Sequence, residues 1–158
     1  MSYIPILSTV DILADLTEEH IEKILNICSE TSFEAEETIF EENSPSKEFY
    51  IIVKGQVDIQ LDPDMIRSKP DVHGPQTIVT LRTGQSFGEV ALVDQGVRSA
   101  SAKAAATGCT LLKIGRDDFM QLLQTDVSMG FIVMQNLAAD LCFKIRTTNL
   151  MVREALLY

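Results

Sequence analysis

The stretch F-Y-I-I-V-K-G-Q-V-D-I-Q-L, residues 49–61, decides the fold, because β-branched and aromatic residues of this kind form strands. Further strand candidates flank it at residues 37–40 (E-T-I-F), 77–82 (T-I-V-T-L-R), 99–106 (S-A-S-A-K-A-A-A) and 109–114 (C-T-L-L-K-I). Turn residues separate these candidates at Asn43-Ser44-Pro45, Lys54-Gly55, Thr83-Gly84 and Thr107-Gly108. Three prolines and one glycine between Asp62 and Gln76 predict a long exposed hairpin loop.

Helical patterns lie on both sides of these strands. Residues 11–29 predict one amphipathic helix with Thr17 as N-cap. After Arg116, the sequence D-D-F-M-Q-L-L-Q predicts a second helix, and a long third helix is predicted from about Ser128 to Leu156. Because strands and helices do not alternate, we expect a mainly β fold with flanking helices. Its core would be a small antiparallel β-roll or jelly-roll barrel with an N-terminal helix and a long C-terminal helix. We expect one domain over residues 1–158, with an N-terminal helical part at 11–32, the β-roll at 33–115 and the C-terminal helices at 116–158.

Composition and charge exclude several classes of function. The 158 residues carry a net charge of −10, which repels nucleic-acid phosphates and anionic lipid, so we expect no nucleic-acid partner. The start lacks signal-peptide features and no stretch is apolar enough to span a bilayer, which predicts a cytoplasmic protein without membrane insertion. The isolated Cys28, Cys109 and Cys142 predict core residues rather than disulfides or zinc ligands. His20 and His73 are predicted to be surface residues, with no metal or catalytic role.

The segment from Gly84 to Ala102 carries the chemistry. Glu89-Val90-Ala91-Leu92 predicts one helical turn whose first N–H groups face an anion, and Gly88 lets a ligand approach the backbone. Nine residues after Glu89 stands Arg98, which can donate two parallel bonds to a phosphate, while Glu89 can accept from sugar hydroxyls. This pattern indicates a pocket for a phosphorylated sugar. A structural ion pair between Glu89 and Arg98 across a turn is the alternative.

The sequence F-G-E-V-A-L, followed nine residues after its Glu by R-S-A-S, resembles the phosphate-binding cassette of the cyclic-nucleotide-binding domain family. That family occurs in kinase regulatory subunits, gated channels and bacterial transcription activators. The resemblance extends to L-T-E-E-H-I-E-K-I-L at 16–25 and L-A-A-D-L-C-F-K-I-R-T-T-N-L at 137–150. It places the cassette at residues 84–101 and implies a regulatory sensor of cAMP, or less favourably cGMP, with no enzymatic activity and no further cofactor.

The resemblance also implies roles for single residues. Glu89 would bind the ribose 2′-hydroxyl, Arg98 the cyclic phosphate, and Ser99 the phosphate or the base. The remaining ligand-binding residues would be the backbone amides of Gly88, Val90 and Ala91, the strand residues Val79 and Leu81 beneath the base, and Thr147 or Thr148 as a base-reading hydroxyl. For Val79 and Leu81 the alternative is plain barrel core, and for the two threonines it is a packed or solvated helix face.

The chain departs from the family pattern at three positions. Val97 replaces the proline that often precedes the arginine, and Glu36 and Asn43 replace glycines in the early strands. Asparagine tolerates a positive φ, whereas Glu36 suggests a different local turn.

The long last helix bears on the output of the sensor. Because the chain ends at Tyr158, we expect a free-standing module without a DNA-binding region that acts through an effector protein or its own copy. An apolar stripe predicts a homodimer through this helix, with folding back on the barrel as the alternative; it comprises Met134, Leu137, Leu141, Ile145, Thr148, Val152 and Leu156. A domain that kept the fold but lost the ligand is the second hypothesis. Hydrolysis of a cyclic phosphate would need a metal or an activated nucleophile, which no residue cluster supplies.

Overall fold

A computed structural model describes residues 2–62 and 74–157 of the chain. Its helices are α1 (Ile4–Leu7), α2 (Glu18–Leu25), α3 (Arg116–Thr125) and α4 (Val127–Leu157), with 3₁₀ turns at Asp11–Leu13 and Glu89–Leu92. Its strands are β1 (Cys28–Phe33), β2 (Thr38–Phe40), β3 (Glu48–Leu61), β4 (Gln76–Arg82), β5 (Ser86–Phe87) and β6 (Ser101–Gly115). The predicted hairpin loop, including His73, lies largely outside the described residues.

The described strands form one antiparallel sheet with β3 and β6 at its centre. The strand order is β1-β6-β3-β4, while β2 also pairs with β6 and β5 with β3. Helices precede and follow the strands in the chain, so the predicted mainly β fold with flanking helices and a long C-terminal helix is confirmed. Closure of the sheet into a roll or barrel stays a prediction.

Two predicted turns are wrong because their glycines lie inside strands. Gly55 belongs to β3 and Gly108 to β6, and both have a positive φ, of 80° and 70°. Gly55 pairs with Cys109, the register shifts on either side of it, and a Cβ at Gly55 would lie 2.2 Å from the Gly108 carbonyl oxygen. These glycines therefore allow a bulged, close approach of two long strands rather than a chain reversal.

The N-terminal helix is shorter than predicted. A capping box begins α2, because the Thr17 side chain accepts from the His20 amide and the His20 ring accepts from the Thr17 amide. The helix ends at Leu25, and residues 28–32, assigned to the helical part from the sequence, belong to β1, which pairs with β6. His20 is also not the surface residue that was predicted: it is half-buried, and its Nε2 lies 3.5 Å from Asp126 Oδ2.

Successive residues of β3 supply two different apolar clusters, as the alternation of a strand requires. Phe49 and Ile51 pack with the helices, whereas Tyr50 and Ile52 pack in a second cluster with Phe87. The second cluster also receives Phe40 and Leu81 as partly buried members. The sheet thus separates a helix-covered core from an apolar cluster that contains Phe87 of β5, directly before the predicted cassette turn.

The apolar stripe on α4 divides into two parts. Leu137 is buried in the core of its own chain, and Met134 and Leu141 are partly buried against it. Ile145, Val152 and Leu156 are exposed, by 60%, 52% and 82%. Folding back on the chain's own core therefore describes the proximal part of the stripe and not the distal part.

The three cysteines differ in their surroundings. Cys109 is buried and Cys28 half-buried, but Cys142 is exposed on α4, so its predicted place in the core is wrong. Burial raises the pKa of the Cys28 thiol to about 12 and that of Cys109 to about 11. Across residues 2–62 and 74–157, no helix combines the length and hydropathy that crossing a bilayer requires.

Candidate ligand-binding site

A short turn after β5 presents backbone amides at the predicted cassette. Gly88 adopts a φ of 76° and caps the 3₁₀ turn Glu89–Leu92, which confirms the predicted helical turn. The Ala91 amide donates to the Gly88 carbonyl over 3.1 Å, so the amides of Glu89 and Val90 come before the first bond within the turn. A Cβ at position 88 would lie 2.7 Å from Arg98 Nη1. Glycine is therefore favoured at position 88 for two reasons: its backbone adopts a positive φ, and it leaves space for the Arg98 side chain.

Arg98 is buried, at 4% exposure, and only part of its guanidinium is paired. Nη2 donates to the Glu48 carbonyl oxygen over 2.6 Å, while Nε and Nη1 are buried without a hydrogen-bond partner. The guanidinium carbon lies 4.1 Å from the Phe40 ring centroid and 6.0 Å from that of Tyr50. Burial lowers the pKa of Arg98, and the nearby Tyr50 and Glu48 oppose that shift. Two donor nitrogens of a buried cation, Nε and Nη1, thus remain without a partner.

The backbone around Arg98 explains why valine can replace the preceding proline. The Arg98 amide donates to the Ser44 carbonyl, and the Asn43 amide donates to the Arg98 carbonyl, each over 2.8 Å. Val97 forms an isolated bridge with Pro45. Pairing with the β2–β3 connection therefore fixes this segment.

Asn43 and Glu36 both keep the left-handed conformation, with a φ of 65°. For Asn43 this is expected, but the predicted change of turn at Glu36 is wrong. The Glu36 amide donates to the Ala104 carbonyl, and its carboxylate pairs with Lys103 over 2.7 Å. These bonds hold a side chain in a conformation that usually favours glycine.

Glu89 is buried, at 3% exposure, and its two carboxylate oxygens have different environments. Oε1 accepts from Lys144 Nζ of α4, while Oε2 is buried without a partner. In the described part of the chain, no salt bridge joins Glu89 to Arg98. The structural ion pair that was the alternative for these two residues is therefore wrong. Two buried, opposite charges remain apart, each with unpaired polar atoms.

Lys144 is the residue of this site that sequence reasoning missed. Its ammonium also pairs with Asp140 Oδ2 over 2.8 Å, one helical turn earlier. Burial opposes the charge on Lys144, but Glu89 and Asp140 outweigh it, so its pKa is raised. The spacing of Asp140 and Lys144 could have predicted their mutual pair. No local signal relates Lys144 to Glu89, which lies 55 residues away in the chain.

The other predicted ligand residues are less closely associated with the cradle formed by Gly88–Leu92 and Arg98. Ser99 is exposed beside Arg98, and Leu81 packs in the cluster that contains Tyr50. Val79 is 46% exposed on β4. The Thr147 hydroxyl donates to the Phe143 carbonyl of its own helix over 3.0 Å, and Thr148 is exposed. The structure therefore brings Gly88, Glu89, Val90, Ala91 and Arg98 together, whereas the Thr147 hydroxyl is bonded within its own helix and Val79 and Thr148 lie exposed.

A separate polar cavity of about 360 Å³ contains none of the predicted ligand residues. Its lining comprises Pro45, Ser46, Lys47, Gln95, Gly96, Arg116 and Asp117. Among the described residues, no group of three or more His, Cys, Asp or Glu side chains could hold a metal ion.

The fold and the cradle define an antiparallel sheet domain with a buried acid and a buried arginine beside a short amide-bearing turn. The chain belongs to the cyclic nucleotide-binding domain family, whose model matches residues 30–126. This family is regulatory rather than catalytic.

A kinase regulatory subunit and a cyclic-nucleotide-dependent kinase are among the similar proteins. The cAMP-dependent protein kinase regulatory subunit of Aspergillus fumigatus is 33% identical over 121 residues, which cover 77% of this chain and 27% of that protein. Human cGMP-dependent protein kinase 2 is 31% identical over 119 residues, which cover 75% of this chain and 15% of that protein. The chain thus spans about a quarter or less of the length of these relatives.

Solved structures share the fold. The catabolite activator protein of Thermus thermophilus is 26% identical with a TM-score of 0.74, covering 90% of this chain and 62% of that one. A cyclic nucleotide-binding domain from Methylobacillus flagellatus has a TM-score of 0.75 at 23% identity, covering 91% of this chain and 76% of that one.

Proposed function

We propose that this chain binds a cyclic nucleotide, with cAMP preferred to cGMP, and acts as a regulatory module through protein–protein contacts. The observation that carries the proposal is the set of three unpaired buried atoms: Arg98 Nε, Arg98 Nη1 and Glu89 Oε2. A buried polar atom without a partner destabilises a protein, by about 1–3 kcal/mol in typical cases. A ligand that supplies a phosphate to Arg98 and a hydroxyl to Glu89 would satisfy all three.

The charges of the cradle favour a cyclic phosphate over an open one. A cyclic phosphodiester carries a single negative charge, which matches the one buried guanidinium. An open monophosphate carries close to two charges at neutral pH and would bring the second one near the buried Glu89 carboxylate. The amides of Gly88, Glu89 and Val90 complete the phosphate contacts in this proposal, and the Ala91 amide would share its N–H between the Gly88 carbonyl and the phosphate.

The base would lie between the cassette and α4. Leu81 supports this assignment because it packs in the cluster of Tyr50, whose ring lies below Arg98. We assign Val79 to the same strand surface, Ser99 to a phosphate or base contact, and Thr147 or Thr148 to the hydroxyl that reads the base. The hydroxyls of Ser99 and of the threonines can each donate and accept and so can bond either purine, which leaves the titration below to decide between cAMP and cGMP.

The output would be a change in contacts with an effector protein or with a second copy of the chain. The regulatory nature of the family supports the first route. The exposed apolar side chains of distal α4 support the second, a homodimer.

The test is calorimetric titration of the purified protein, stripped of co-purified nucleotide, with cAMP, cGMP and 5′-AMP. We expect saturable binding of cAMP, weaker binding of cGMP and no binding of 5′-AMP at the same concentrations. A cooperatively folded protein that binds neither cyclic nucleotide would contradict the proposal and support a domain that functions in interactions alone.

A further inference from the structure

The proximal part of α4 is fixed to the rest of the molecule. Met129, Val133 and Leu137 are buried in the helix-covered core. The Asn136 side-chain amide donates to the Ala14 carbonyl over 2.8 Å. At Gly130 a Cβ would lie 2.5 Å from the Leu123 carbonyl oxygen, so α3 and α4 meet at close range. We therefore expect a change in the ligand site to shift this part of the helix very little.

The distal part of α4, residues 142–157, has a different environment. Its large apolar side chains are exposed, and its hydrogen bonds and ion pairs within the described residues stay inside the helix, with one exception. That exception is the bond from Lys144 to Glu89. The carboxylate of the cradle is thus joined directly to the part of α4 that lacks other polar anchors.

The Glu89 carboxylate has one oxygen for the helix and one for a ligand. Lys144 holds Oε1, while the buried Oε2 has no partner. We propose that Lys144 is a positioning residue that keeps Glu89 oriented for ligand and transmits occupancy of the site to residues 142–157 of α4. This inference rests on the proposed cyclic-nucleotide binding, because the ligand hydroxyl is assigned to Oε2.

Charge and geometry support a positioning role. The Lys144 ammonium stabilises a carboxylate that is otherwise buried away from water. Asp140 pairs with the same ammonium and restricts its side chain to the side of the helix that faces Glu89. When ligand pairs Oε2 and the free N–H groups of Arg98, the cassette becomes more rigid, and Lys144 extends that restraint to the distal helix.

The test compares Lys144→Met with Lys144→Arg, which keeps the charge, and with Arg146→Met, which removes an exposed cation from the same helix. Calorimetry gives the affinity for cAMP, and hydrogen–deuterium exchange follows residues 142–157 with and without saturating cAMP. We expect Lys144→Met to weaken cAMP binding by about fivefold. We also expect cAMP to slow exchange in the distal helix of the wild type, of Arg146→Met and of Lys144→Arg, but not of Lys144→Met.

The empty protein provides a readout that does not depend on the ligand. Without nucleotide, the distal helix of Lys144→Met should exchange faster than that of the wild type, while α2 and α3 remain unchanged. If the wild type binds no cAMP but shows this difference, the proposed function fails and the anchoring by Lys144 stands. Equal or tighter cAMP binding by Lys144→Met, or a preserved ligand response in its distal helix, would overturn the inference.

Discussion

At the scale of single residues, the cradle contains two buried opposite charges, Glu89 and Arg98, that do not pair with each other. The rings of Phe40 and Tyr50 and the Glu48 carbonyl hold the Arg98 guanidinium, while Lys144 holds one oxygen of Glu89. Buried charges are usually paired, because removing them from water is unfavourable. The empty protein therefore carries a cost in stability that a complementary ligand would offset.

We predict that Arg98→Leu weakens cAMP binding by roughly thirtyfold or more, since removing one partner of a buried charged contact typically costs about 2–5 kcal/mol. The same substitution should leave the Tm of the nucleotide-free protein unchanged or raise it, because it removes two buried donor nitrogens that lack a hydrogen-bond partner. Calorimetric titration and thermal unfolding measure the two effects.

Arg116→Leu is the matched control, because its Nε is also buried without a partner but it lies beside the separate polar cavity. Its cAMP affinity should equal that of the wild type. Unchanged affinity in a folded Arg98→Leu variant would remove Arg98 from the ligand site.

The residues that could be predicted were those whose signal is local in the chain. Gly88, Glu89 and Arg98 fall within eleven residues, so their types and spacing were sufficient to expect a cradle. Lys144 could not be predicted, because its pairing with Glu89 depends on the direction in which α4 crosses the cassette. Local patterns contain no information about that direction.

At the scale of elements, patterns of apolar residues predicted the type of each segment better than its ends. The limits of α4 were correct within one residue, because a long helix without proline gives a strong periodic signal. β1 was missed, because C-S-E-T-S-F has few apolar residues and is stabilised by its pairing with β6. Gly55 and Gly108 were interpreted as turns because glycine in a bulge and glycine in a turn look the same in a sequence.

A second element-scale feature is the connection of α2 to the start of α4 through Asp126. Its Oδ1 accepts from the Met129 amide over 3.2 Å, and its Oδ2 accepts from Lys23 over 3.2 Å. The Met129 amide and then Lys23 lower the pKa of Asp126. The stabilisation from this carboxylate is therefore complete above its ordinary pKa of 3.8 and is lost as the pH falls through its lowered value.

We predict that Asp126→Asn lowers the Tm by about 2–4 °C at pH 7, because it removes the charge at the start of α4 and the pair with Lys23. The difference from the wild type should shrink as the pH falls below 4, where Asp126 of the wild type begins to take up a proton. Thermal unfolding over a pH series measures this. Asp15→Asn, which removes an exposed carboxylate, should show no comparable loss at pH 7, and a loss that is independent of pH would refute the electrostatic explanation.

At the scale of the whole molecule, the net charge of −10 opposes any polyanionic partner. The net negative charge would weaken binding of a cyclic nucleotide much less, because its single phosphate would lie in a buried cradle next to one arginine. We predict no binding of duplex DNA at physiological salt, with or without cAMP, as measured by fluorescence anisotropy. A signal that survives competitor DNA would contradict this prediction.

The exposed apolar surface of distal α4 bears on how the whole molecule assembles. Ile145, Val152 and Leu156 continue the stripe beyond the part that packs on the chain's own core, and Leu150 and Met151 widen the exposed apolar surface. Such a surface on one helix fits a copy of the same helix, which would bury it in a symmetric dimer and bring Thr147 or Thr148 towards a ligand site.

We predict a dimer at micromolar concentration and a monomer for Ile145→Glu, because a carboxylate in the dimer interface would lose water and face its own copy across the axis. Leu141→Glu should also give a monomer, but it is a weaker test of the dimer because Leu141 packs partly on the core of its own chain. The control is Val127→Glu, which changes an exposed apolar residue at the start of α4 and should remain a dimer. Sedimentation velocity with and without cAMP distinguishes these states; a monomeric wild type in both conditions would refute the dimer and leave distal α4 as a lid that responds to ligand within one chain.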